Sequence, residues 1–168
     1  MAGVPDKIQT WQMVQPTSRD RETKEVTPGK IEKKEIPVPD LKPGEVLVEV
    51  AGCGVCHTDL GYFYDGVPTV SKPPLTLGHE ISGKVVAGDE SWIGKRVVGE
   101  INCVCGKCDM CCSGLASHCR NRTVMGISGR DGCFADYTSL SSFEEYQVPK
   151  PSLSPHAKLY LRSVQCGI

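Results

Sequence analysis

No stretch of this sequence approaches the ~20 consecutive apolar residues that a membrane-spanning helix needs, and neither sign of charge dominates. Nineteen Lys and Arg stand against twenty Asp and Glu, a net charge of −1. That balance offers no basic field for nucleic acid or for an anionic membrane. The first ten residues include Asp6, Lys7 and Gln9 and lack the apolar core of a secretory signal. A cytoplasmic protein is the expectation. A G-x-G-x-x-G after a strand, the fingerprint of a dinucleotide fold, is also missing. Gly126 to Gly132 is glycine-rich, but the spacing is wrong.

Cysteine, by contrast, is abundant. Ten occur in 168 residues, and six of them fall at Cys103, Cys105, Cys108, Cys111, Cys112 and Cys119. In a secreted chain such a count reads as a disulfide framework. Without a signal segment, metal ligation is the better explanation.

The chain has room for one domain with a real core. Residues 1–29 read as a polar N-terminal segment, with the run Arg19-Asp20-Arg21-Glu22-Thr23-Lys24-Glu25 as solvated surface. From Lys30 onward, short Val- and Ile-rich stretches recur between Pro and Gly turns. They lie at Lys30 to Ile36, Val46 to Val50, Ile81 to Ala87, Arg96 to Ile101 and Phe134 to Thr138. Many short strands at this spacing predict a mainly β barrel or sandwich. Residues 30–153 form that domain, with a cysteine lobe at 103–120. Ser154 as a cap, Pro155 at the first helical position and Ala157, Tyr160, Leu161 and Val164 at helical spacing predict a helix opening the 154–168 segment.

Cys105, Cys108, Cys111 and Cys119 stand as C-x2-C-x2-C-x7-C. Four thiolates at ~2.3 Å make a closed tetrahedral zinc site with no position left for water. Such a site holds a loop and performs no chemistry. An iron–sulfur cluster also uses closely spaced cysteines, and free or disulfide-bonded thiols are the remaining alternative. Cys103 and Cys112 receive no role. Upstream, Gly52-Cys53-Gly54-Val55-Cys56-His57-Thr58-Asp59 follows one expected strand and Gly78-His79-Glu80 precedes another. A catalytic zinc needs three protein ligands and an open position. Cys56 and His79 supply two of suitable type, each beside a carboxylate able to steady it.

Gly-Val-Cys-His-Thr-Asp, then Gly-His-Glu, then the four-cysteine lobe resembles the zinc-dependent alcohol dehydrogenases of the medium-chain dehydrogenase/reductase superfamily. The resemblance runs from about Lys30 to the end. It implies a GroES-like barrel in which Cys56 and His79 bind the catalytic zinc and Thr58 begins a proton relay from the substrate hydroxyl. It further implies that His57 lies near the cofactor pyrophosphate and that Asp59 and Glu80 steady the zinc shell. The third ligand of such enzymes follows a short helix leaving the barrel, which makes Cys166 the candidate. The helix around it departs from the usual acidic, alanine-rich pattern, and a bystander thiol is the alternative. Trp11 to Pro16, Cys56 to Val67 and Pro74 to Gly83 resemble the hydroxycyclohexene-carbonyl-CoA dehydrogenases. The cysteine lobe and Asn121 to Tyr137 resemble general alcohol dehydrogenases instead, so a secondary alcohol on a ring is the favoured substrate class, with simple alcohols behind it.

The resemblance implies two zinc ions per chain if Cys166 completes the catalytic site. NAD(P) would enter only with a Rossmann domain, which this chain is expected to lack, so the isolated chain is expected to be inactive. The partners expected are an alcohol or ketone substrate and either a separate cofactor-domain half or a second copy of the chain, without nucleic acid or membrane. A non-enzymatic zinc-stabilised barrel, acting as an assembly or regulatory module, is the competing function. A zinc-ribbon nucleic-acid binder lacks the basic face it would need.

Overall fold

The computed structural model describes residues 3–141 and the strand Glu145–Gln147. In chain order the strands are β1 Lys7–Gln15, β2 Ser18–Arg19, β3 Val26–Thr27, β4 Lys30–Pro37 and β5 Glu45–Gly54, before the helix α1 His57–Tyr64. There follow β6 Leu75–Thr76, β7 Glu80–Gly88, β8 Arg96–Gly99 and β9 Asn102–Cys103, then the single-turn helix α2 Asp109–Cys112. The described chain ends with β10 Thr123–Met125, β11 Gly129–Arg130, β12 Tyr137–Ser141 and β13 Glu145–Gln147. The mainly β class is as expected. The helix anticipated after Ser154 lies outside the described residues. Among the described residues, no helix is long and apolar enough to cross a membrane.

The central sheet runs β12-β5-β7-β8-β13, with every neighbouring pair antiparallel. In β7 the side chains of Ile81, Val85 and Ala87 alternate inward, as the period of two predicts. Ile81 and Val85 join Val46, Val48, Val97, Met125, Cys133 and Leu140 in the main core. Fully burying a Val or Leu contributes roughly 1.5–3 kcal/mol, so this cluster holds the two site-bearing strands in register.

A second sheet, β4-β1-β6, closes against the first. The seam is the segment 134–136. Phe134 O accepts the Trp11 N–H at 2.8 Å, and Asp136 N donates to Gln9 O at 3.0 Å while Asp136 O accepts from Val50 N at 2.8 Å. One short stretch therefore ties β1 on one side to β5 on the other, making a barrel. This also explains why the strand expected to begin at Phe134 begins at Tyr137: the three preceding residues bond to two strands at once.

The polar N-terminal segment contains β1, which the sequence pattern does not reveal. Its inward positions are Ile8, Thr10 and Met13, and Thr10 breaks the apolar alternation. Thr10 is fully buried because its hydroxyl meets that of Thr76 at 2.9 Å, which satisfies a group that would otherwise be costly inside. The charged run Arg19 to Glu25 is exposed, as read.

Candidate metal centres

The first centre is built locally. α2 starts at Cys108 as its N-cap and carries Cys111, and a 3-10 turn at Ala116–His118 delivers Cys119 back toward Cys105. The sulfurs lie 3.5 Å apart for Cys108–Cys111, 3.6 Å for Cys105–Cys119 and 3.9 Å for Cys108–Cys119. A tetrahedron with ~2.3 Å metal–sulfur arms has edges of ~3.8 Å. The observed spacings bracket that value, so these four thiols can hold a zinc ion as they stand.

The titration of Cys105, Cys108 and Cys111 reflects the crowding. The Lys107 backbone N–H, helped by the Asn121 side-chain amide, holds Cys105 down to about 6, while dehydration and the neighbouring sulfurs of Cys108 and Cys119 push Cys111 up to about 12. Cys108 is lowered by backbone N–H groups of Cys111 and Arg120. Negative charge cannot be shared by all four without a cation. Outside the cluster, Arg120 forks onto Asp109 with contacts of 2.9 and 3.0 Å, tying the end of the lobe to the start of α2. Sequence spacing gives no hint of that pair, nor of Asn121.

The second centre is assembled from two separate segments. β5 ends at Gly54, and the chain turns through Val55 to place Cys56 at the N-cap of α1. His79 arrives from the other side, immediately before β7. Cys56 is 6% exposed and His79 7%. Together with the exposed Glu80 they place a sulfur, a ring nitrogen and a carboxylate oxygen within 4.8 Å of one another. One thiol, one imidazole and one carboxylate form a donor set suited to zinc.

Asp59 joins the two segments. It is 4% exposed, accepts the Cys56 N–H at 3.0 Å as the reciprocal half of a capping box, and accepts the Gly78 N–H at 3.0 Å. Its Oδ1 also lies 3.5 Å from His79 Nδ1, a buried nitrogen without a hydrogen-bond partner. One carboxylate thus bonds to the backbone beside both the cysteine and the histidine and faces the imidazole across 3.5 Å. Gly78 has φ +90°, and a Cβ there would come within 2.8 Å of Cys53 Sγ and 2.6 Å of the Phe134 ring, so only glycine fits the turn into His79. Burial works against charge on His79, but Asp59 and then Cys56 outweigh it and push the imidazole up to about 9.

The remaining residues singled out in the sequence divide. Thr58 stands beside the site, its Oγ1 3.7 Å from Cys56 Sγ. His57 is exposed at the first turn of α1 and outside the three-residue donor set. Cys166 lies outside the described residues. Neither α1 nor the reach of Asp59 to Gly78 was legible beforehand, because α1 lacks an apolar stripe and the contact spans 19 residues.

The alcohol dehydrogenase GroES-like domain family matches residues 42–152, well over half of the chain. The chain belongs to this family. It is a catalytic-type barrel of the zinc-dependent medium-chain alcohol dehydrogenases, with the GroES-like fold the resemblance implied.

Relatives of this alcohol dehydrogenase domain include the L-threonine 3-dehydrogenases of Streptomyces avermitilis and Streptomyces coelicolor. Each is 41% identical, over 63% and 68% of this chain and 32% and 36% of theirs. The chain thus spans about a third of the length of the curated relatives it matches. Among solved structures, acetophenone reductase of Geotrichum candidum in complex with NAD superposes with a TM-score of 0.70. It is 29% identical, and the match covers 89% of this chain and 42% of that one. Galactitol-1-phosphate dehydrogenase of Escherichia coli gives 0.65 at 27% identity, over 85% and 38%.

Proposed function

We propose that this chain is the metal-binding catalytic portion of an alcohol dehydrogenase that interconverts a secondary alcohol and its ketone with NAD(P). The observation that carries the reading is the convergence of Cys56 and His79 on one buried point, both held by Asp59. Cys56 and His79 would hold the catalytic zinc, with Glu80 alongside and Cys166 as the further ligand. Cys105, Cys108, Cys111 and Cys119 would hold the structural one.

A zinc held by Cys56 and His79 would supply Lewis-acid polarisation of the substrate oxygen. The chain's own residues do the rest. Asp59 keeps the imidazole turned so that its Nε2 is available. Thr58, with a hydroxyl that both donates and accepts, takes the proton from the substrate hydroxyl. His57, exposed at the start of α1, is placed to meet the cofactor pyrophosphate once a cofactor domain is supplied. Taken by themselves, these 168 residues include no G-x-G-x-x-G and oxidise alcohols poorly. Zinc-dependent, saturable NAD reduction by the purified chain would contradict that part.

The substrate class rests on names and motifs. L-threonine 3-dehydrogenases and an acetophenone reductase both concern a secondary hydroxyl or its ketone. The ring-borne alcohol implied by the Trp11 to Gly83 motifs is the narrower version. Cobalt(II) loaded in place of zinc tests the site: its visible bands should shift on adding a secondary alcohol or ketone. Bands indifferent to every such ligand would favour a purely structural, non-enzymatic barrel.

A further inference from the structure

Two cysteines outside both metal clusters face each other in the barrel wall. Cys53 Sγ, on β5, lies 2.9 Å from Cys133 Sγ in the loop after β11. Non-bonded carbon atoms settle at roughly 3.5–4.0 Å and sulfur is larger, whereas a disulfide measures ~2.05 Å. The two sulfurs are therefore already inside normal contact distance.

Their frame is held from both sides. Cys133 N donates to Gly78 O at 3.0 Å, flanked by Gly132 N to Thr76 O at 2.8 Å and Phe134 N to Leu77 O at 3.0 Å. Cys53 is fixed by the pairing of β5 with β7, opposite Ile81. The missing side chain of Gly78 leaves the space that Cys53 Sγ and the Phe134 ring occupy. Cys133 is 1% exposed, while Cys53 is half-buried, and both line a cleft of about 610 Å³ with Trp11, Val55 and Phe134. A small oxidant can reach Cys53 from that cleft, and Cys133 waits behind it.

We propose that Cys53 and Cys133 are an oxidisable pair that closes to a reversible disulfide on meeting a peroxide. Cys53 sulfur attacks one peroxide oxygen, the O–O bond breaks, and a Cys53 sulfenic acid and one water (or alcohol) result. Cys133 sulfur then attacks Cys53 sulfur. The S–S bond forms as the S–O bond breaks, and a second water leaves with the Cys133 proton. Two thiols are oxidised by two electrons and one peroxide is reduced.

Closure moves the sulfurs together by only ~0.9 Å. It joins positions 80 residues apart, a span over which a cross-link restricts the unfolded chain strongly. The staple links the strand that leads into Cys56 to the loop that grips Gly78, next to His79. In a reducing compartment such a bridge is transient, so the pair responds to oxidant and does not stand permanently closed.

The test is peptide mapping of the full 168-residue chain, loaded with zinc to shield the tetracysteine set. It is treated with dilute hydrogen peroxide, then alkylated and digested. The expected result is a disulfide-linked pair of peptides carrying Cys53 and Cys133, with both returned to alkylation by dithiothreitol. In C133S, Cys53 should stop at the sulfenic acid and be trapped by dimedone. Both thiols remaining alkylated in the wild-type chain, or Cys53 linked to any other cysteine, overturns the proposal.

Discussion

The two candidate metal centres are made in opposite ways. The tetracysteine lobe draws every ligand from residues 105–119, on a turn of helix and a 3-10 turn, with Cys105, Cys108 and Cys111 partly exposed and Cys119 buried. The Cys56/His79 centre draws its ligands from two segments that meet only because β5 and β7 pair and Asp59 bonds to both. A local centre depends on its metal. An assembled centre depends on the barrel, and its ligands keep their places through buried hydrogen bonds.

The sharpest way to break the comparison is C108S. The four sulfurs are what gathers this loop, so the variant should lose one zinc per chain and the ordered structure of residues 105–119. Metal analysis and the amide spectrum of the lobe would show this, with the Cys56/His79 metal retained. D59N comes next. It removes a buried carboxylate that accepts two backbone N–H groups, at a cost of about 2–4 kcal/mol in thermal unfolding. It should also weaken metal at Cys56/His79 by roughly 10–100-fold while leaving the lobe loaded. E80Q sharpens the same site. As an exposed donor at its rim, Glu80 should matter by no more than about tenfold in metal affinity, read by competition with a chelator.

The pH dependence of the emptied assembled centre is a smaller effect. His79 has its imidazole raised from 6.5 to about 9 by Asp59 and Cys56 against the pull of burial. The stabilisation from its charge is fully present below 6.5 and lost as pH rises through about 9. The melting temperature of the chelated chain should therefore fall across that window. The metal-loaded chain should show no such fall, because a ligating imidazole is already neutral. D59N should flatten the chelated curve. The smallest change is R120A, which removes an exposed ion pair from the lobe. Exposed pairs contribute little, so melting and zinc content should stay at wild-type values.

The same contrast explains what could be read beforehand. The lobe is legible because its geometry is encoded in spacings of two and seven residues. The strands β5 and β7 were visible in the Val and Ile alternation of Val46 to Val50 and Ile81 to Ala87. β1 was hidden because a buried Thr10 paired with Thr76 looks, in sequence, like a surface residue. Asp59 could be seen as a neighbour of Cys56, but its bond to Gly78 depends on a turn whose position only the fold supplies. The approach of Cys53 to Cys133 across 80 residues left no local trace. Cys166 and the helix expected after Ser154 lie outside the described residues, so the third ligand rests on resemblance.

The most direct measurement is the zinc content of the wild-type chain beside that of a C56S/H79A double variant. Two centres, one local and one assembled, predict two ions per chain falling to one. One ion in both proteins would contradict the account, leaving a barrel whose only metal is the one that shapes its cysteine lobe.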